Sequence, residues 1–212
     1  MKLMTMVIAA LSFGATGASA VTWPHSEGSM KHLMVMLDGT TLGVHIDGDP
    51  LERIELIRHR GEHYTAPADV LDERFYSDRY GWMADGFIDL PSGSAIFVET
   101  IASDAGLDVH QGGMRSMKHM HTYAPILGTG SSDLRWMWDG TMVHNWYAAD
   151  QLGTYDTTYS VYVGDASTGA PLPGYTGDTV TLRFRAVPAP GALALAGAGL
   201  VLAARRRRGV LP

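Results

Sequence analysis

The sequence predicts an all-β fold, a single antiparallel β-sandwich or jelly-roll-like domain with at most one or two short helices. Three observations predict it. Short runs rich in Val, Ile, Thr, Tyr, Phe and Trp recur along the chain, separated by Gly, Asp, Pro and Ser, the residues that form turns. Apolar and polar residues alternate with period two in runs such as Tyr159-Val161-Val163 and Val180-Leu182-Phe184, as half-buried strands require. No long stretch carries the 3.6-residue apolar period of an amphipathic helix.

Taken in order, the first element is a hairpin. Strands over Lys31–Leu37 and Thr41–Ile46 flank Asp38-Gly39, a dipeptide favoured in tight hairpin turns. "PLERIELIRHR" and "PADVLDERFYSDRY" are the two places for a short helix or helical turn. A real helix within 68–80 would make the fold α+β instead. Strands are expected over Gly86–Leu90, Ala95–Ile101 and Leu107–His110. "LRWMWDGTMVHNWYA" repeats the hairpin design, with Leu134–Trp138 and Thr141–Ala148 around Asp139-Gly140. Thr158–Val163 and Thr179–Arg185 complete the set. The domain is expected over residues 21–186, and "VPAP" should end its last strand, because proline cannot donate to a ladder.

The two ends differ from this body. Lys2, an apolar run from Leu3 to Phe13, and "GASA" ending at Ala20 form the pattern of a secretory signal peptide cut after Ala20. At the other end Gly191–Ala204 is small and apolar, short of the roughly 20 residues that span a bilayer comfortably. Arg205, Arg206, Arg207 and Arg208 follow directly. Positive charge stays cytoplasmic, so the body would lie on the far side of the membrane, as the signal peptide also implies. Residues 187–212 are therefore expected to be a sorting tail that inserts at least transiently.

Charge and cysteine narrow the partners. The chain has 16 Lys and Arg against 22 Asp and Glu. Lys2 and the four tail arginines account for five of the 16, and every acid lies between them, leaving 11 against 22 in the body, a net of −11. Such a surface repels phosphate backbones, so nucleic acid is not expected as a partner. Cysteine is absent, which excludes thiol catalysis, disulfides and Cys-ligated zinc.

The tail, with Val187, Pro188, Ala189 and Pro190 ahead of the apolar run and the Arg cluster, resembles the PEP-CTERM sorting domain of Gram-negative bacteria. That family usually shows Val-Pro-Glu-Pro, and here Ala189 takes the place of Glu. The resemblance implies processing by an exosortase-type membrane enzyme, removal of the tail, and delivery to the cell surface or to extracellular polysaccharide. It implies nothing about the body, for which the expected role is non-enzymatic.

All nine histidines lie in the body, and "SMKHLM" and "SMKHMH" begin at Ser29 and Ser116. Alternate strand residues share a face. Met30, His32, Met34 and Met36 would then line one strand, and Met117, His119 and His121 another. Imidazole suits zinc and copper, and thioether suits copper(I). The candidate ligands are His32, His45, His119, His121 and His144, with Asp47 and Asp49 as carboxylates. The plain alternative is methionine filling a core.

Around His144, "HNWYAADQLGTY" is loosely similar to the His-x-Trp … Gly-x-Tyr signature of actinobacterial surface-anchored wall domains, which implies a surface and metal role for His144. Trp136 and Trp138 share a strand face and are candidates for stacking on sugar rings, or for filling the core. The Asp-rich turns "IDGDP" and "VGDAS" offer oxygens suited to calcium, without the spacing of an EF-hand. No Gly-x-Ser-x-Gly elbow, phosphate loop or metalloprotease motif is present.

Overall fold

In the first hairpin the period-two pattern decides which side chains face inward. Strand β1 (Lys31–Asp38) buries Leu33 and Val35 completely, and β2 (Thr41–Ile46) buries Leu42, Val44 and Ile46. The pair is antiparallel, with Asp38 opposite Thr41. Gly39 sits at φ +60°, the left-handed region that the turn needs and glycine enters without strain. This is a computed structural model, and it describes residues 23–188.

Ten more strands follow. They are β3 (Ile54–Ile57), β4 (Phe75–Ser77), β5 (Tyr80–Ala84), β6 (Ser94–Ser103) and β7 (Leu107–Gly113). Then come β8 (Pro125–Ile126), β9 (Arg135–Trp138), β10 (Val143–Ala149), β11 (Gly153–Asp165) and β12 (Asp178–Val187). The described helical content is three 3-10 turns, Ala68–Leu71, Lys118–Met120 and Thr129–Ser131. The chain is thus mostly β. β12 ends at Val187, directly before Pro188.

All the strands join one mixed sheet in the order β2-β1-β5-β10-β4-β3-β12-β11-β6-β9, with β7 on the other edge of β10 and β8 on β7. The sheet divides at β10. Its first residues pair with β5 and its last with β4, so one branch runs through β5 to the first hairpin and the other through β4 to β12. The hairpin also reaches back towards β12. Leu42 N–H donates to the Thr176 carbonyl, Thr176 N–H to that of Thr40, and Val44 N–H to Asp178 Oδ2.

Several expectations need correction. The sheet is not purely antiparallel, since β1–β5 and β12–β3 are parallel. "PLERIELIRHR" forms β3 and not a helix, because Ile54 and Leu56 alternate into the core. Within 68–80 the chain makes only the short turn at Ala68–Leu71 before β4 and β5. Residues 87–90 are not a strand. The second hairpin does not form either. β9 pairs with β6, and β10 pairs with β4, β5 and β7. The chain turns away after Trp138, whose indole N–H donates to the Thr141 carbonyl at 2.7 Å.

Two clusters fill the two sides of β10, which is buried from His144 to Ala149. The larger centres on Trp82, with the rings of Trp136, Trp138 and Tyr159 at 6.1–6.4 Å. The smaller holds Tyr64, Leu71, Tyr76, Tyr123, Trp146 and Ala148, with Trp23 packed on it. Trp23, Tyr123 and Trp146 stack in sequence, 6.4 and 5.8 Å between centroids. This second cluster is the platform on which the histidine-rich side of the molecule is built.

Candidate metal centre

Two segments meet beside the smaller cluster. His25 belongs to the segment leading into β1, and His59 and Glu62 follow β3. One ligand atom from each of His25, His59 and Glu62 lies within 4.8 Å of the other two. The imidazole centroids of His25 and His59 are 4.4 Å apart, and His25 Nδ1 is 3.7 Å from Glu62 Oε2. Two imidazoles and a carboxylate are a zinc-binding set, and three protein ligands leave a coordination position open.

The surroundings prepare these groups differently. The Tyr76 ring packs at a tilt against His59, 5.3 Å between centroids, and His59 Nε2 is buried without a hydrogen-bond partner. Burial, and then the nearby His25, push the His59 pKa below its ordinary value. The ring therefore stays neutral, the form that ligates metal. Tyr64 donates its hydroxyl to Glu62 Oε2 at 2.9 Å and is itself hydrogen-bonded to the Tyr76 hydroxyl. Burial raises the pKa of both phenols, so both remain protonated. A ligand carboxylate held by a hydrogen bond from behind is typical of metal sites. His25 is the exposed member of the set. Zinc bonds of about 2.0–2.1 Å place ligand atoms roughly 3.4 Å apart, so an ion bound here would draw these three atoms closer than the 4.8 Å within which they lie.

Sequence reasoning did not name His25, His59 or Glu62. The sequence holds one local signal, His59-x-x-Glu62, of which only His59 falls within the "PLERIELIRHR" stretch expected to hold a helix or helical turn.

The histidines that were named go to several places. His32 and His144 come together, with centroids 6.2 Å apart. His45 is exposed on β2, opposite Met34. Met117, His119 and His121 do not form a second strand. They lie in and around the 3-10 turn Lys118–Met120, where Met120 N–H donates to the Met117 carbonyl and His121 N–H to that of Lys118. Those turn bonds use the donors a ladder would need. His119 is exposed at the edge of Trp23, 6.5 Å between centroids. His121 is buried with both ring nitrogens engaged, and so has no lone pair to offer.

Asp47 accepts hydrogen bonds from the His32 backbone N–H and Nδ1 at 2.7 and 2.8 Å. Burial alone would raise its pKa, but the two bonds from His32 outweigh that and lower it. Asp49 instead caps Leu51 N–H, and its carbonyl accepts from Lys31 Nζ. Asp165 of "VGDAS" closes a turn by accepting from the Ser167 and Thr168 N–H groups.

No known family model matches the chain, and no curated protein matches it.

The two tryptophans proposed for sugar stacking face inward. Trp138 is 2% exposed, and Trp136 is partly buried with its ring against Trp82. Among the described residues no helix is long and apolar enough to cross a membrane. Ala20, Ala189, Pro190 and Arg205–Arg208 lie outside the described residues.

Proposed function

We propose that the chain is exported, sorted by an exosortase-type enzyme to the cell surface or extracellular matrix of a Gram-negative bacterium, and acts there as a non-enzymatic metal-binding protein. The sheet, with its first hairpin hydrogen-bonded back towards β12, serves as a sandwich-like body for that site. The observation that carries the metal reading is the convergence of His25, His59 and Glu62 to within 4.8 Å. Zinc is the first choice, because the set is nitrogen and oxygen without sulfur, and copper(II) is the second. Export rests on the terminal sequences, together with an acidic, cysteine-free body. Extracellular polysaccharide remains the surrounding matrix in this reading, not the ligand of the tryptophans.

The test is a melt with and without zinc, together with metal analysis. A ligand that binds only the folded state at 100 times its Kd adds about 2.7 kcal/mol. One zinc per chain and a raised Tm are expected, both lost in a His25→Ala/His59→Ala double variant. An unchanged melt with neither zinc nor copper(II) retained overturns the metal reading. Export is tested separately by fractionation: a mature chain beginning at Val21 outside the cytoplasm is expected, and a cytoplasmic chain retaining residues 1–20 overturns it.

A further inference from the structure

A second histidine pair, His32 and His144, uses none of His25, His59 and Glu62. Residues opposite one another on paired strands share a side. His32 on β1 is opposite Gly81 on β5, and Gly81 is opposite His144 on β10. The two imidazoles therefore flank a residue with no side chain. A Cβ at position 81 would fall 2.5 Å from His144 Cε1 and 2.6 Å from its Nε2, so the His144 ring occupies the space that glycine leaves.

Each ring is oriented from behind. His32 Nδ1 is 2.8 Å from Asp47 Oδ2, and His144 Nδ1 donates to the Asp78 carbonyl at 2.8 Å. An imidazole that donates through Nδ1 keeps its lone pair on Nε2. Both Nε2 atoms are buried and have no hydrogen-bond partner. His144 is fully buried. Carboxylate or carbonyl behind Nδ1, with Nε2 left free, is the arrangement that outer groups give to metal-ligating histidines. Two partnerless buried nitrogens are also costly without a ligand.

The neighbourhood selects the ion. His144 lines an open cleft of about 500 Å³ together with Met30, Met114 and Met142. Thioethers are soft and suit copper(I). Arg115 and Lys118 line the same cleft, and both pair with the single carboxylate of Asp78.

We propose that His32 and His144 bind one cuprous ion through their Nε2 atoms, with the methionine-lined cleft as its way in and as a source of thioether ligands. The 6.2 Å between ring centroids accommodates an ion about 2 Å from one nitrogen of each ring.

The test uses the full chain without oxygen, in competition with a chromophoric copper(I) chelator. One cuprous equivalent is expected in the parent and in the His25→Ala/His59→Ala variant. The His32→Gln variant, changed at a half-buried position, should hold it at least about tenfold more weakly. In parallel, silver(I) serves as a redox-inert stand-in, and the ¹⁵N resonances of His32 and His144 Nε2 should shift on its addition. The proposal is overturned if the parent takes no copper(I), if His32→Gln binds as tightly as the parent, if the His25/His59 variant loses the ion, or if neither Nε2 resonance moves.

Discussion

Trp146 donates its indole Nε1–H to His121 Nδ1 at 3.0 Å, and this bond fixes what His121 can do. With Nδ1 accepting, Nε2 carries the proton, and it donates to the Met114 carbonyl at 3.0 Å. The ring is neutral and fully satisfied, and burial lowers its pKa further. A histidine that looks like a ligand in the sequence is in fact a clamp between β10 and the loop after β7.

Removing the donor should expose that role. Trp146→Phe leaves His121 Nδ1 buried and unpaired, at a cost of about 1–3 kcal/mol. A lower midpoint in urea with unchanged zinc and copper(I) stoichiometry is the expected result. A lost metal equivalent would place His121 among the ligands.

Gly81 should tolerate no side chain. In Gly81→Ala the new methyl meets the buried His144 ring, which the Asp78 carbonyl holds in place. Overpacking of this kind costs about 1–3 kcal/mol. Denaturant unfolding measures it, and a neutral substitution would mean that the ring moves freely.

The stability of the chain should fall on acidification. Burial lowers the pKa of His59, His110, His121 and His144 below 6.5. Below pH 6.5 the unfolded chain takes up protons that the folded chain refuses. The loss therefore begins near 6.5 and continues until each folded-state pKa is reached, at up to about 1.4 kcal/mol per pH unit per proton. Asp47, held low by the His32 bonds, adds a further loss below its ordinary 3.8. Urea midpoints at pH 7.5 and 5.5 check the first part, and a midpoint that rises towards acid contradicts it.

Asp78 should be intolerant of neutralisation. It is fully buried between Arg115 Nε at 3.1 Å and Lys118 Nζ at 3.5 Å. Asp78→Asn leaves both cations without their partner, and breaking a buried pair costs about 3–5 kcal/mol. Thermal or urea unfolding reads the loss directly.

Trp138→Ala separates core from carbohydrate. At 2% exposure the ring is packed against Trp82, and truncation should cost about 3–5 kcal/mol. A correctly folded, equally stable variant that fails to bind polysaccharide would restore the sugar-stacking role.

The sequence by itself determined what is local. Alternation marked β11 and β12 as strands, because side-chain parity is a property of consecutive residues. Asp38-Gly39 determined the first hairpin and Pro188 the end of β12, because each acts on its own backbone. That His144 and Trp146 share a side was legible for the same reason. Only the tertiary structure decided which strands pair. An equal Asp-Gly signal at Asp139-Gly140 made no hairpin, since β9 finds its partner in β6 and β10 finds three others. The candidate sites belong to that second category. His25 reaches His59 and Glu62 from a separate segment, and His32 and His144 meet only because β5 inserts a glycine between β1 and β10. Contacts of this kind are made by the packing of distant strands, and no run of neighbouring residues records them.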